Sequence, residues 1–205
     1  MVENRKITTI SICGGALPLD FLNTVSEWTP AEGADYFEDE IDFLLWTAKL
    51  SFLAKEELNR FSKHIKSKSH RPNLLKQVRD VRTILFQIFR AIASNKAISP
   101  ESLDAFSAWT RKAHASRGFA ATKSEVVAAL DNANPAILPL LYVVLDAERM
   151  ILDASLWSRI RMCPSCGWFF LDTSKGGKRR WCDMSVCGSR EKALRYYHNT
   201  KGTDK

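Results

Sequence analysis

Apolar residues return every three or four positions through most of the first 160 residues, the spacing that lays one face of a helix on a core. Leu19 to Trp28 reads as a helix behind Pro18, with Leu19, Leu22 and Val25 on one face. Phe37 to Leu50 repeats the pattern through Ile41, Leu44, Leu45 and Ala48, and Ala54 to Ile65 gives a third helix. Pro72 suits the first turn of a long fourth helix, whose stripe runs Leu75, Val78, Val81 with Arg82, Leu85, Ile88 with Phe89, and Ile92. Ser99-Pro100 starts a fifth, because serine caps a helix and proline fits its first turn. Asn134-Pro135 opens a last long helix running to about Arg161. It is apolar on several faces over Ile137 to Leu145, the pattern of a central core helix, and Pro139 falls early, where its missing N–H costs least.

Two stretches break this period. Lys6 to Cys13 is rich in β-branched residues and ends at Gly14-Gly15, so it reads as a strand entering a turn. Phe119 to Leu130 suits strand or helix equally. The expected fold class is mainly α (α+β): a helical domain over 1–160 with a few short strands, and a small module over 161–205. No Gly/Ser/Pro linker separates them. The last helix is expected to run straight into Met162-Cys163 and to pass any movement of the large domain to the module.

The module carries the most specific chemistry. Cys163 and Cys166 form a C-x2-C pair, Cys182 and Cys187 a C-x4-C pair, and fifteen residues lie between the pairs. This is the layout of a tetrahedral thiolate site for one structural zinc ion, with a spacer long enough for a β-hairpin. Two disulfides or a redox pair are the alternatives. The rest of the chain argues against them: Met1 to Ile12 has no long apolar run, and the most apolar stretch, Ile137 to Leu145, is nine residues where a bilayer needs about twenty. A cytoplasmic protein without a membrane segment is expected, in a compartment where thiols stay reduced. Cys13, remote in sequence, reads as a small buried apolar residue.

Charge sharpens the picture. The net charge is +7, and residues 161–205 hold ten Lys/Arg against four Asp/Glu, whereas the preceding 160 residues hold 20 against 19. A module this basic beside a near-neutral domain suits a polyanion; a solvated basic tail is the plain alternative.

Within the module, Cys163-Pro164-Ser165-Cys166-Gly167 makes a tight knuckle. Trp168 and Phe170 read as core cover for a domain too small to have much of its own. Ser189 to His198 reads as a short helix, capped by Ser189 or started by the metal-bound turn itself. Knuckle, hairpin and then a helix carrying the last ligand make a treble-clef zinc finger. Four thiolates close the zinc shell, so zinc catalysis is not expected and His198 is not needed as a ligand. Lys178, Arg179 and Arg180 on the hairpin, with Arg190, Lys192 and Arg195 on the helix, are the candidate nucleic-acid contacts, since arginine forks onto phosphates and guanine edges. Arg190 could equally brace the zinc knuckle.

At these residues the segment resembles the CGNR zinc finger. The matching runs are Cys-Gly-Trp-Phe-Phe-Leu-Asp-Thr-Ser at 166–174, Arg-Arg-Trp-Cys at 179–182 and Val-Cys-Gly-Ser-Arg at 186–190, then Lys192-Ala193. Ser189 stands where that family has the asparagine of its name. The family's finger follows an ABATE domain, whose start resembles Gly14 to Val25 here. The resemblance implies a bacterial, stress-responsive transcription regulator with a DNA-binding finger and an upstream domain that binds a small-molecule effector. Gly14, Gly15, Asp20 and Asn23 are the candidate effector residues, because Asp20 and Asn23 share a helical face beside a glycine turn. Alternatively, Asp20 caps or pairs, and Asn23 bonds nearby backbone.

The expectation is therefore a DNA-binding regulator associated with the nucleoid, one zinc ion per chain, with a homodimer suited to a palindromic site. A protein-interaction module using Trp168, Tyr196 or Tyr197, and an RNA binder stacking bases on Trp181, Tyr196 or Tyr197, are the competing readings. An enzyme is not expected: there is no nucleophile elbow or phosphate loop, and His64, His70 and His114 are scattered.

Overall fold

The computed structural model describes residues 6–29, 32–67, 73–121, 124–130 and 132–201. Eight helices and two antiparallel hairpins are formed by these residues. In chain order they are α1 (Leu17–Leu22), α2 (Glu40–Leu50), α3 (Lys55–Lys66), α4 (Leu74–Ala93), α5 (Pro100–Ala115), β1 (Gly118–Ala121) and β2 (Val126–Ala129). There follow α6 (Leu138–Leu152), α7 (Ala154–Trp157), β3 (Ile160–Met162), β4 (Phe169–Leu171) and α8 (Ser189–Lys201). The mainly helical class is thus observed.

Local chemistry explains the boundaries. Asp39 accepts from the amides of Ile41 and Asp42 while the Asp42 carboxylate accepts from Asp39, a reciprocal cap that starts α2. Ser51, at φ 53°, ends it. The Ser99 hydroxyl accepts from the Ser102 amide at 3.2 Å, with Pro100 in the first turn of α5, as expected. Asn73 flanks the start of α4, and Pro72 lies outside the described residues. One face of α4 buries Val78, Val81, Leu85, Ile88 and Ile92, and α6 buries Leu140, Leu141, Val143, Val144, Ala147 and Met150. These two helices enclose the small α1, and α5 packs on both.

Three expected elements differ. Lys6 to Cys13 is not a strand: Ile7–Thr9 is a 3-10 turn, and no strand among the described residues pairs with it. Ile7 and Ile10 are buried three apart, and the Lys49 ammonium donates to the carbonyls of Thr8 (3.0 Å) and Ile10 (2.7 Å), replacing a ladder. The first helix stops at Leu22 rather than Trp28, because Asn23 to Trp28 turn away to meet the cysteine module. The last long helix stops at Leu152 rather than near Arg161. Asp153 leaves helical geometry, and its carboxylate accepts from the Ser155 amide at 3.0 Å to start the separate short α7. What joins the large domain to the knuckle is therefore a bend, a helical turn and a strand, not one rigid rod.

Phe119 to Leu130 resolves into strands, with Phe119 opposite Ala128 and Ala121 opposite Val126. The hairpin around the metal knuckle is β3–β4, with Ile160 opposite Leu171 and Met162 opposite Phe169. It straddles the first cysteine pair instead of lying wholly in the spacer. The expected division at 160/161 falls inside β3, and Phe169 and Phe170 belong to the same continuous core as α1, α4 and α6.

Candidate functional site

The β3–β4 turn holds Cys163 and Cys166. The Cys163 amide donates to the Trp168 carbonyl and the Gly167 amide to the Cys163 carbonyl, each at 2.8 Å. Gly167 sits at φ 77°, and a Cβ there would come 2.8 Å from the Trp28 Cβ, so the turn requires glycine. Asp172 organises the loop that follows. Its carboxylate accepts from the Ser174 amide and hydroxyl and from the Arg179 amide (3.0 Å). These bonds, led by the Ser174 hydroxyl, hold its carboxyl below the usual range. Asp183 plays the same part within the second pair, between Cys182 and Cys187, capping Ser185 at 2.7 Å. Met184–Gly188 then forms one π-helical turn carrying Cys187, and α8 continues from it. Ser189 is already helical and its hydroxyl donates back to the Met184 carbonyl, so the metal-side turn starts α8 and Ser189 does not cap it.

All four sulfurs are buried and lie within 4.8 Å of one another, with Cys166 Sγ 3.5 Å and Cys187 Sγ 3.6 Å from Cys182 Sγ. A tetrahedron of sulfurs about 2.3 Å from a zinc ion has edges of roughly 3.8 Å, whereas a disulfide would need about 2.05 Å. The cluster fits one zinc ion and not two disulfides. Hydrogen bonds from Cys166, Cys182 and Cys187 draw the Cys163 thiol far below its ordinary range. The same contacts draw the Cys187 thiol down and push the Cys166 and Cys182 thiols up, so the four sulfurs share charge unequally, and a bound dication would draw all of them to the thiolate form.

The sequence-predicted basic residues separate into two kinds. Arg179 is committed to the protein: its Nε donates to the Trp181 carbonyl (3.0 Å), its Nη2 to the carbonyls of Cys13 (3.3 Å) and Cys182, and its guanidinium stacks 4.5 Å from the Phe170 ring centre. Lys178, Arg180, Arg190, Lys192 and Arg195 are exposed, and among the described residues none has an ion-pair partner. Arg180 lies over Trp181. At helical spacing Arg190, Leu194 and Tyr197 form one stripe of α8, and Lys192, Arg195 and Tyr196 another. Tyr196 is 73 % exposed and Tyr197 51 %. Trp168 and Phe170 are core, as expected, and the Trp168 indole donates to the Val25 carbonyl at 2.8 Å.

The candidate effector residues meet the finger. Asp20 Oδ1 accepts from the Gly14 amide at 2.7 Å, the Leu171 amide donates to the Gly14 carbonyl at 2.8 Å, and Asn23 pairs with both backbone groups of Phe169. Gly14 leaves no room for a side chain, since a Cβ would sit 2.7 Å from the Asp20 nitrogen. Gly15, at φ 76°, completes the turn. Burial pushes the Asp20 carboxyl up to about 6, against the amides of Gly14, Cys13 and Gly15 that favour its charge. The polar atoms of Asp20 and Asn23 are thus engaged with protein partners, and this corner is the seat of β4.

Sequence reasoning missed several contacts here. The Trp28 amide donates to the Cys166 carbonyl at 2.8 Å and its indole stacks on Phe86, 4.0 Å between ring centres. Phe86 in turn meets Phe169 edge-on. Arg82, buried in the α4 stripe, forks onto Asp35 at 2.9 and 2.6 Å and donates to the Thr24 hydroxyl. An arginine inside an apolar stripe was the available signal. His114 pairs with Glu148 at 2.7 Å, His64 is half-buried, and His70 lies outside the described residues.

A four-thiol metal module seated on a helical domain by buried backbone pairing defines the class: a zinc-finger protein whose finger and large domain share one core. The chain belongs to the ABATE family, described as "Putative stress-induced transcription regulator", which it matches over residues 15–150, and it carries a CGNR zinc finger over residues 159–200. No curated protein matches the chain. No helix among the described residues is long and apolar enough to cross a membrane.

Proposed function

We propose that the chain is a sequence-specific DNA-binding regulator of transcription, responsive to stress, that reads duplex DNA through α8 and the adjoining loop of a treble-clef finger. The observation that carries this is the set of exposed cations at Lys178, Arg180, Arg190, Lys192 and Arg195, none with an ion-pair partner among the described residues, on a segment that holds the four buried cysteines. Phosphate contacts would supply most of the affinity, and two or three side chains of α8 would reach base edges. The family's description as a transcription regulator supports the same reading. The chain acts by binding rather than catalysis: zinc closed by four thiolates offers no open position.

Recovery of crosslinked DNA with the tagged full chain tests this. Enrichment of discrete chromosomal segments, lost when Arg190, Lys192 and Arg195 are together replaced by Ala, is expected. Uniform background recovery from the unaltered chain would overturn the proposal. A protein-interaction surface is the second reading, favoured by the exposure of Leu194, Tyr196 and Tyr197 along the same helix. It predicts partner binding that survives the loss of the cations and fails when the aromatics are truncated.

A further inference from the structure

An open cavity of about 350 Å³ lies between the β1–β2 hairpin and the C-terminal half of α6. Leu130, Leu145, Leu152 and Ala129 give it an apolar wall. Its charged groups are Arg117, Glu148 and Arg149. Glu148 is held by His114 at 2.7 Å, and Arg149 pairs with Asp146 at 2.9 Å. Arg117 has no ion-pair partner among the described residues. The Tyr142 hydroxyl, also at this wall, donates to Glu57 at 2.7 Å. The cavity thus presents the Arg117 guanidinium, the unused N–H groups of Arg149, and the Glu148 carboxylate tied to the His114 ring, all beside apolar surface.

We propose that this cavity binds a small apolar monocarboxylate, its tail against Leu130 and Leu145 and its carboxylate forked by Arg117. Arginine holds a carboxylate through two parallel N–H bonds, which adds geometric fit to the charge at this exposed position. A strongly hydrated anion such as free phosphate would gain nothing from the leucine wall. An amine would meet the two guanidiniums of Arg117 and Arg149 with like charge, against the single Glu148 carboxylate that already bonds His114.

The proposal deepens the effector part of the regulator reading and rests on it only for its consequence. The last turn of α6 lines the cavity through Glu148, Arg149 and Leu152, and α7 and β3 lead from there to Cys163. A ligand at this end of α6 would therefore sit where the chain bends toward the finger.

Calorimetry with 4-phenylbutyrate, 4-phenylbutan-1-ol and 4-phenylbutylamine on the zinc-loaded full chain tests the proposal without DNA. One site is expected for the carboxylate, with the alcohol and amine at least tenfold weaker. Arg117→Gln should weaken the carboxylate about tenfold, a loss of about 1.4 kcal/mol, and leave the alcohol unchanged. Leu152→Glu, at a position 78 % exposed and so harmless to folding, should weaken the carboxylate at least as much. Equal binding of carboxylate and alcohol, indifference to Arg117→Gln, or no binding of the carboxylate at millimolar concentration would each overturn it. Because no DNA is present, a failure here leaves the DNA-binding reading standing, and a failure of DNA binding leaves this site standing.

Discussion

Asn23 pairs with Phe169 as one strand pairs with another: its carboxamide accepts from the Phe169 amide and donates to the Phe169 carbonyl, both at 2.8 Å and both buried. The pair closes the free edge of β4 with a side chain from the end of α1. It also explains why α1 ends at Leu22, since the chain must open there for the amide to face the strand.

Asn23→Leu leaves two buried backbone groups without partners, at about 1–3 kcal/mol each. We expect a loss of about 2–6 kcal/mol in urea unfolding. Asn23→Asp should be nearly as damaging, because a carboxylate cannot donate to the Phe169 carbonyl. A loss below about 0.5 kcal/mol for Asn23→Leu would show that the pairing is dispensable.

The two exposed-looking arginines of the 179–180 pair should behave oppositely. Arg179→Ala removes donors from the carbonyls of Cys13, Trp181 and Cys182 and uncovers Phe170. Faster zinc loss to a chelator and a less stable finger are expected. Arg180→Ala should leave zinc retention unchanged and lower the salt slope of DNA binding by about one. The reverse pattern would contradict the assignment of Arg179 to the fold.

Asp20 and Asp35 should give opposite pH responses. The Asp20 carboxyl is raised by burial from 3.8 to about 6, so the folded state takes up the proton more readily than the unfolded chain. Its contribution to stability is fully present below pH 3.8 and is lost as pH rises through about 6, a change of about 3 kcal/mol. Asp20→Asn, which keeps an acceptor for Gly14, should flatten stability across that window. Burial raises the Asp35 carboxyl too, but the hydrogen bonds and charge of Arg82 outweigh it, and the net shift is downward. Its contribution is present above pH 3.8 and disappears as pH falls below. Stability against pH for the two variants, Asp20→Asn and Asp35→Asn, checks both signs.

Breaking the Arg82–Asp35 pair should cost unequally by partner. Asp35→Ala leaves the buried guanidinium with only the oxygens of Thr24 and the more distant, exposed Glu32 carboxylate at 3.9 Å, at a cost toward the lower end of about 3–5 kcal/mol. Arg82→Met leaves Asp35 half-exposed and still bonded by Arg79 at 2.8 Å, so it should cost less. Equal losses would mean that packing, not charge, dominates this contact.

Helix α4 was legible from its regular apolar spacing, α6 from its apolar run, and Ser99-Pro100 announced α5 directly; in α2 the spacing located the helix but not its face, because Ile41, Leu45 and Ala48 are exposed while Phe43, Leu44 and Trp46 are buried. The metal cluster was legible because ligand spacing is local chemistry. The failures share a physical origin. Lys6 to Cys13 has strand-forming residues but no partner strand, and Lys49 satisfies its carbonyls instead. Residues 23–28 have helical spacing, yet their hydrogen bonds go to Phe169, Trp168 and Cys166, far away in sequence. The break at Asp153 was signalled by its own capping chemistry, which the surrounding apolar period concealed. Arg179 could not be told from Arg180 by type or spacing, because only the fold shows which one turns inward.

The central claim is that zinc-ordered α8 presents cations to DNA, and duplex binding by the zinc-loaded chain against salt tests it most directly. With about five phosphate contacts, log K should fall with log salt at a slope near −4 to −5, and replacing Arg190, Lys192 and Arg195 together by Ala should reduce that slope by about three with zinc content unchanged. A flat response, or no binding to any duplex by fully zinc-loaded protein, would contradict it.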